Sequence, residues 1–323
     1  MKSLHIAVAA EFDLCEKIAE FLQLSQLDIE RLSVIEIYPF KEEQSIRFQG
    51  KAVAQISAEE AQWADFDYLL FGGDINQVQY LATAAQAGCI GLDIKGVCSS
   101  LSDVPVVVPE VNPQQLIELR QRNIVSLPDP IVSQLALAIA GLVGENAASR
   151  FLVSTLLPAS YENAESVTQL IGQTAQLLNG IPLEDEQQRL AFDVYPARNE
   201  QLQRQLQKIF PQLNDNLVFH SIHVPVFYGM AQMVTGITDY AADREAIIGQ
   251  WQSGDLIRFH ENKGITPVIN GERENGEELV HLHISDFSLS ENEIRFWSVA
   301  DEQRFNIALL AVRLLELIYR QGY

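Results

Sequence analysis

Positively charged residues and cysteines are both scarce in this chain of 323 residues. Its 22 lysine and arginine residues are outnumbered by 43 aspartate and glutamate residues, which gives a formal net charge of −21 at pH 7. Because nucleic-acid-binding surfaces are basic, we expect no nucleic-acid partner. The cysteines Cys15, Cys89 and Cys98 have neither the spacing of a zinc site nor that of a disulfide framework, so we expect no metal and a reducing compartment.

Long hydrophobic runs are also missing. The longest near-apolar run, residues 131–143, is interrupted by Ser133 and Gln134 and is too short to span a bilayer. The first residues lead directly into a short apolar stretch, without the features of a signal peptide. We therefore expect a cytoplasmic protein with no membrane partner. An apolar fraction of 47% is typical of globular proteins, and the length suggests two domains.

In the first half, short apolar stretches that predict strands alternate with amphipathic stretches that predict helices. The predicted strands are residues 4–9, 35–37, 68–71, 89–93, 104–109 and 124–125, the predicted helices are residues 13–24 and 78–87, and a short antiparallel excursion is predicted at residues 46–56. Gly72 and Gly73 follow the third of these strands. This pattern favours an α/β fold, with a Rossmann-type, doubly wound parallel sheet in a domain of residues 1–128.

The second half predicts a different domain. Its predicted strands are residues 151–157, 218–226, 233–237, 279–285 and 294–300, and its predicted helices are residues 162–178, 200–210 and 304–319. Strands separated by a few helices and irregular stretches favour an α+β domain with a mostly antiparallel or mixed sheet, at residues 129–305. We expect residues 306–323 to return to the first domain as a C-terminal helix.

A strand, a rigid turn and a buried helix follow one another at residues 123–143. Asp129 is placed to cap the helix, and Pro130 occupies the first helical position, where its missing N–H costs nothing. Many α/β enzymes hold a nucleophile at such a junction, because the helix N-terminus stabilises anions and lowers a thiol pKa. Here the position holds proline. We interpret Asp129 as an N-cap rather than as a catalytic acid.

The first strand–helix junction is where a dinucleotide would bind in a doubly wound sheet. A pyrophosphate needs glycines there, so that backbone N–H groups can approach it, and it favours a helix start without negative charge. Residues 9–16 contain no glycine, and they contain the carboxylates Glu11, Asp13 and Glu16. These acidic residues also suit an ordinary helix start. Both interpretations disfavour a nucleotide phosphate.

Four segments resemble signatures of the aspartate-semialdehyde dehydrogenase family, and their order and spacing match over nearly the whole chain. They are Asp103-Val104-Pro105-Val106-Val107-Val108-Pro109-Glu110-Val111-Asn112, Leu190-Ala191-Phe192-Asp193-Val194-Tyr195-Pro196, Val224-Pro225-Val226-Phe227-Tyr228-Gly229 and Trp297-Ser298-Val299-Ala300-Asp301. The chain resembles in particular the Usg-type paralogues of that family. The resemblance implies a second domain that forms a dimer through its sheet.

The catalytic residues that the resemblance implies are replaced in this sequence. Enzymes of the family are NADP-dependent aldehyde oxidoreductases of the phosphorylating type, and they act through a thioester on a catalytic cysteine. The position of that cysteine, in the family's Asn-Pro-Asn-Cys segment, falls on Pro130. A glutamine that positions the acyl group falls on Leu157, the arginine for the substrate carboxylate falls on His223, and the catalytic histidine falls on Met230.

The binding residues implied by the resemblance are replaced as well. The glycines of the family's nucleotide loop fall on Ala9, Phe12 and Cys15, and its phosphate-binding arginine falls on Ser99. An acidic and lysine pair falls near residues 199–201. We therefore expect no cofactor, and NADP if the family's function is retained.

Other residues offer weaker sites. Lys95 could lower the pKa of Cys98, although a structural cysteine is the more common interpretation. His281 and His283 could ligate a metal from one strand face, against the alternative of two polar residues on a solvated face. His223 could still bind a carboxylate, against the alternative of a structural histidine.

Two functions of different classes remain open at this point. The first is a pseudoenzyme of the dehydrogenase family, retained as a binding or interaction protein, either as a homodimer or as a hetero-partner of an active paralogue. The pseudoenzyme interpretation follows because the catalytic residues, which act as a unit, are all replaced. The alternative is an NADP-dependent aspartate-semialdehyde dehydrogenase-type oxidoreductase in amino-acid biosynthesis.

Overall fold

The computed structural model describes residues 3–40, 45–143, 148–184, 187–213, 216–274 and 280–323. The chain forms two compact units. Unit 1 comprises Met1–Ser133, Arg204–Ile209 and Asn306–Tyr323, and unit 2 comprises Gln134–Gln203 and Phe210–Phe305. The domain boundaries predicted after residues 128 and 305 stay predictions.

The described strands are β1 Leu4–Ala9, β2 Ile29–Glu36, β3 Arg47–Phe48, β4 Lys51–Ala52, β5 Ala54–Ser57, β6 Tyr68–Phe71, β7 Ile90–Asp93, β8 Ile124–Ser126, β9 Ala148–Leu157, β10 Tyr195–Ala197, β11 Leu217–His223, β12 Met230–Thr238, β13 Ile257–Phe259, β14 Leu282–Leu289 and β15 Glu293–Ala300. The described α-helices are α1 Phe12–Leu24, α2 Val78–Gln86, α3 Pro130–Ile139, α4 Ala164–Leu178, α5 Gln201–Ile209, α6 Arg244–Trp251, α7 Pro267–Glu274 and α8 Leu310–Arg320. Within the described ranges, no helix is long and apolar enough to cross a membrane.

Unit 1 is built on a six-stranded sheet with the order β5-β2-β1-β6-β7-β8, in which every pair is parallel. The strand order reverses at β1, so the sheet is doubly wound, as predicted. Its centre is buried on both faces, since Ala7, Val8, Leu69 and Leu70 have no exposed surface. Such two-sided burial is typical of a parallel sheet covered by helices.

Unit 2 is built on a seven-stranded sheet with the order β10-β11-β9-β12-β15-β14-β13. β9 runs parallel to β11 on one side and antiparallel to β12 on the other. The sheet is therefore mixed, as predicted. It brings the carboxyl ends of β9 and β11 side by side, and this places Leu157 beside His223.

Several predicted strands differ from the structure. Residues 104–109 make only one bridge, between Val106 and Ser126, because the prolines at both ends of this stretch lack the N–H that a strand ladder needs. The strand predicted at residues 218–226 ends at His223, close to Pro225. The strand predicted at residues 279–285 is described from Leu282 onward, and Leu279 lies outside the described residues.

Candidate functional site

The junction between β1 and α1 in unit 1 is closely packed. Ala9 and Cys15 have no exposed surface, and the Cys15 thiol donates to the backbone oxygen of Ala10 at 3.4 Å. Burial raises the pKa of Cys15 to about 12. The Phe12 ring packs edge-on against Phe40, with 5.5 Å between the ring centroids. Side chains therefore fill the positions at which glycines would leave a nucleotide phosphate access to the backbone.

The carboxyl edge of the same sheet carries negative charge. The Glu11 carboxylate precedes α1, and the Lys95 ammonium lies 3.8 Å from it. Burial raises the pKa of Tyr38 to about 12, and the nearby carboxylates of Asp74 and Glu11 contribute to the increase. This surface therefore disfavours an anionic ligand.

Asp93, at the end of β7, is a buried carboxylate that sequence reasoning did not single out. It accepts hydrogen bonds from the Ser126 hydroxyl at 2.7 Å, from the Cys98 N–H at 2.7 Å and from the Lys95 N–H at 3.3 Å. Burial raises its pKa, whereas these donors lower it. Asp93 thereby ties the loop that contains Ser99 to the ends of β7 and β8.

The turn before α3 is held by hydrogen bonds within unit 1. The Asp129 carboxylate accepts from the Ile131 N–H at 2.8 Å, which confirms the predicted N-cap at the start of α3. The Asp129 N–H donates to the side-chain oxygen of Gln205 at 2.9 Å. The side-chain nitrogen of Gln205 donates to the Ser99 hydroxyl at 2.8 Å, and that hydroxyl donates to the Gly96 oxygen at 2.5 Å.

Gln205 therefore joins Ser99, on which the family's phosphate-binding arginine falls, to Asp129, which directly precedes the cysteine position at Pro130. Its side chain is only 4% exposed and lies against Gly96, which has a φ of +76°. A Cβ at Gly96 would lie 3.2 Å from the Asp129 nitrogen and 3.2 Å from the Gln205 side-chain nitrogen, so the close approach favours glycine. The network is neutral apart from the capping carboxylate.

In unit 2, the three positions on which the resemblance places the family's glutamine, arginine and catalytic histidine lie on neighbouring strands. Leu157 ends β9 beside His223, and Met230 begins β12 with no exposed surface. The His223 ring stacks on Tyr195 with 4.6 Å between the centroids, and its Nε2 lies 3.4 Å from a Glu162 carboxylate oxygen. Burial lowers the pKa of His223, and the Glu162 charge only partly opposes this. A neutral imidazole is a weak replacement for an arginine that binds a carboxylate.

The cavity beside His223 is small. Its volume is about 10 Å³, and Glu162, Asp193, Tyr195 and His223 contribute to its lining. This is room for about one water molecule. The carboxylates of Glu162 and Asp193 line the cavity and disfavour a carboxylate ligand.

Glu302 is a second residue that sequence reasoning missed. It is buried just after β15 and accepts hydrogen bonds from the Gly229 N–H at 2.9 Å and from the Ser160 hydroxyl. Burial, with the Asp301 carboxylate next, raises the pKa of Glu302 to about 7. Because Gly229 immediately precedes Met230, this carboxyl lies next to the position on which the resemblance places the catalytic histidine.

The remaining candidates, Cys98, His281 and His283, lie inside the fold. Cys98 is buried, and burial followed by the Asp93 charge raises its pKa to about 12, which fits a structural cysteine. His281 and His283 are buried, so the solvated face expected for them is wrong. Instead His283 Nδ1 lies 2.8 Å from His260 Nε2, and His260 directly follows β13, which pairs with β14. Among the described residues, no group of three or more histidine, cysteine, aspartate or glutamate residues could hold a metal ion.

Comparisons with known proteins agree with the fold along the whole chain. No model of a protein family matches it. A USG-1 protein homolog from Haemophilus influenzae is 59% identical over 321 residues, which are 99% of each chain. Aspartate-semialdehyde dehydrogenase 2 from Vibrio cholerae is 29% identical over 323 residues, which are 95% of each chain. The crystal structure of aspartate-semialdehyde dehydrogenase II from Vibrio cholerae has a TM-score of 0.90 at 27% identity, and all of both chains is covered.

Proposed function

The chain belongs to the USG-1 family of proteins related to aspartate-semialdehyde dehydrogenase, and from this premise we propose that it is a non-catalytic binding or interaction protein. The proposal includes the loss of the catalytic cysteine at Pro130 and of the phosphate-binding arginine at Ser99. It also includes the loss of the catalytic histidine at Met230. A retained dehydrogenase activity is the alternative that the experiment below tests.

The observation that carries the proposal is the Gln205 network. A thioester mechanism needs a thiolate at the start of α3 and a cation for the acceptor phosphate. Here the Asp129 N–H at this helix start is already bonded to Gln205, and Gln205 is bonded to Ser99. The neutral amide provides neither a nucleophile nor a positive charge.

The packing around the β1–α1 junction supports the loss of NADP binding. Phe12 and Cys15 replace glycines that the resemblance implies, and the thiol is buried. The Glu11 carboxylate adds negative charge at the start of α1, where a pyrophosphate would need N–H groups and a favourable field. We therefore expect no cofactor.

The positions in unit 2 support the loss of acid–base chemistry. Met230 cannot exchange a proton, and Leu157 cannot hydrogen-bond an acyl group. His223 retains a titratable ring, but it stacks on Tyr195 beside a cavity that holds about one water molecule.

We further propose that the protein is cytoplasmic and forms a homodimer, or a heterodimer with an active paralogue, through the unit 2 sheet. Met233 is 58% exposed on β12, and Leu152 is 39% exposed on the neighbouring β9. Their register places both side chains on the same face of the sheet. Such exposed apolar residues at the centre of a sheet suit a protein interface.

Ligand-dependent melting tests the proposal, because a ligand that binds the folded state raises the melting temperature. We expect NADPH in excess to leave the melting temperature of the purified protein unchanged, and we expect no phosphate-dependent oxidation of aspartate semialdehyde. An active enzyme of the same family, treated identically, is the positive control. A clear rise with NADPH would contradict the loss of cofactor binding, and turnover would overturn the proposal.

A further inference from the structure

A cavity of about 520 Å³ lies in unit 2, beside the loop that follows β13. Charged, polar and apolar residues from this loop, from β14 and from β15 contribute to its lining: Glu261, Lys263, Ile265, Thr266, Asp286 and Trp297. Cavities that hold small molecules typically measure about 300 to 1,000 Å³. None of these residues stands where the resemblance places a catalytic or cofactor-binding group, so the cavity lies beyond the proposed function.

Hydrogen bonds fix the wall of this cavity. The Trp297 indole N–H donates to the Ile265 oxygen at 2.7 Å, and the Ile265 N–H donates to the Ser285 hydroxyl oxygen at 3.3 Å. The Thr266 hydroxyl oxygen accepts from the Ile269 N–H at 3.2 Å, near the start of α7. The loop is therefore tied to β14, β15 and α7. A wall that is already ordered reduces the entropy cost of binding a ligand.

An irregularity in β14 places Asp286 at the cavity. The pairing of β14 with β15 shifts register between Ser285 and Ser288, and Asp286 has a φ of +50°. A residue with a side chain rarely adopts this left-handed conformation, and irregularities of this kind often redirect a side chain at a functional site. Here the redirected residue lines the cavity and is exposed.

The charges left for a ligand have opposite signs. The Glu261 carboxylate is already paired with the Arg244 guanidinium at 2.5 Å. Within the described ranges, neither Lys263 nor Asp286 takes part in an ion pair. A simple anion would be repelled by Asp286, and a simple cation would be repelled by Lys263. A zwitterion can satisfy both groups, and charge-assisted hydrogen bonds of this kind are about twice as strong as neutral ones.

We propose that this cavity binds a free α-amino acid with an apolar side chain. Its ammonium group pairs with Asp286, and its carboxylate pairs with Lys263. Its side chain lies against Trp297, whose large ring offers apolar contact area. The site thus takes a small zwitterionic ligand that is chemically unlike a nucleotide or an acyl phosphate.

An NMR titration of the intact protein, in the oligomeric state in which it purifies, tests the site. The indole N–H signal of Trp297, assigned with Trp297→Phe, reports on the wall of the cavity. L-leucine, L-methionine and L-phenylalanine are the probes, each added to about 10 mM, which detects even weak binding. At least one of them should shift this signal to saturation. The signals of Trp63 and Trp251, which are 9% and 4% exposed, should stay unchanged.

Derivatives of the best-binding amino acid test the two ion pairs in the wild-type protein. The N-acetyl derivative lacks the ammonium group, and the amide derivative lacks the carboxylate. Each should bind at least about tenfold more weakly than the free amino acid, because one charge-assisted bond is lost. This comparison does not depend on whether a variant folds.

Two variants assign the ion pairs to residues. Asp286→Asn keeps the shape of the side chain and tolerates the left-handed conformation, and Lys263→Met keeps the length without the charge. Each should weaken the binding of the free amino acid at least about tenfold. Asp286→Asn should also abolish the preference over the N-acetyl derivative, and Lys263→Met should abolish the preference over the amide. Glu291→Gln and Lys51→Met change exposed charges elsewhere and are the matched controls, with unchanged affinity.

Three results would overturn the proposal. The first is the absence of a saturable shift with all three probes, and the second is a derivative that binds as tightly as the free amino acid. The third is an unchanged affinity in Asp286→Asn or Lys263→Met. The titration uses neither NADPH nor turnover, so its outcome is separate from that of the proposed function.

Discussion

Replacing Gln205 by alanine tests the network that supports the loss of catalysis. The substitution removes the acceptor for the Asp129 N–H and the donor to the Ser99 hydroxyl. A typical hydrogen bond contributes ~1 kcal/mol, and a buried group left without a partner costs ~1 to 3 kcal/mol. Because Gln205 is 4% exposed, water does not readily replace it. We expect Gln205→Ala to destabilise unit 1 by about 2 to 4 kcal/mol.

Urea unfolding and hydrogen exchange measure this loss. The exchange of the Asp129 amide reports directly on the bond to Gln205, and the urea midpoint reports on the stability of the fold. Gln203→Ala is the matched control, since it removes the same side chain two residues earlier on α5. Alanine has a slightly higher helix propensity than glutamine, so we expect this variant to change stability by less than ~0.5 kcal/mol.

Two results would refute the reasoning about Gln205. The first is a loss below ~1 kcal/mol in Gln205→Ala, which would mean that the bonds to Asp129 and Ser99 contribute little. The second concerns Gln205→Glu, which places a carboxyl in a site that is only 4% exposed. Burial should raise the pKa of this carboxyl. The variant should therefore be stable at pH 5 and lose stability as the pH rises to 8. Equal stability at both pH values would contradict this.

Two further predictions follow from burial and capping. Since burial raises the pKa of Cys15, Cys89 and Cys98 to about 12, roughly one thiol in 10⁴ is ionised at pH 8. A thiol reagent should therefore react with the protein only after unfolding, and a rapid reaction of the native protein would contradict this. Asp129→Ala should lower the stability measured by urea unfolding by about 1 kcal/mol through loss of the helix cap, whereas Asp129→Ser should retain most of it. Equal losses in both variants would show that the cap is not the cause.

The sequence predicted the elements whose apolar pattern is regular. β1, β6 and β8 lie where short continuous apolar runs placed them, and α1 lies where its amphipathic pattern placed it. β2 begins earlier than predicted, since charged residues at 30 and 31 interrupt its apolar pattern. α6 was missed because its apolar residues form no amphipathic pattern, and only Ile247 and Trp251 among them are buried.

The contacts of the candidate site could be predicted only in part. The N-cap by Asp129 is local, so four residues of sequence were enough to predict it. The bond between Gln205 and Ser99 joins residues 106 positions apart, and no periodic pattern indicates it. The contact between His260 and His283 likewise depends on the pairing of β13 with β14, which a single sequence does not reveal.

The last helix has a consequence for how the chain folds during synthesis. Leu310, Leu314, Leu315 and Ile318 are buried in unit 1, and the Tyr68 hydroxyl donates to the Tyr323 oxygen at 2.8 Å. The strands of unit 1 leave the ribosome before unit 2, but the core that α8 completes stays open until α8 itself has been translated. Domains normally fold as units while the chain emerges. The N-terminal unit therefore finishes after the residues of unit 2 have been translated, and until then its apolar surface is available to chaperones.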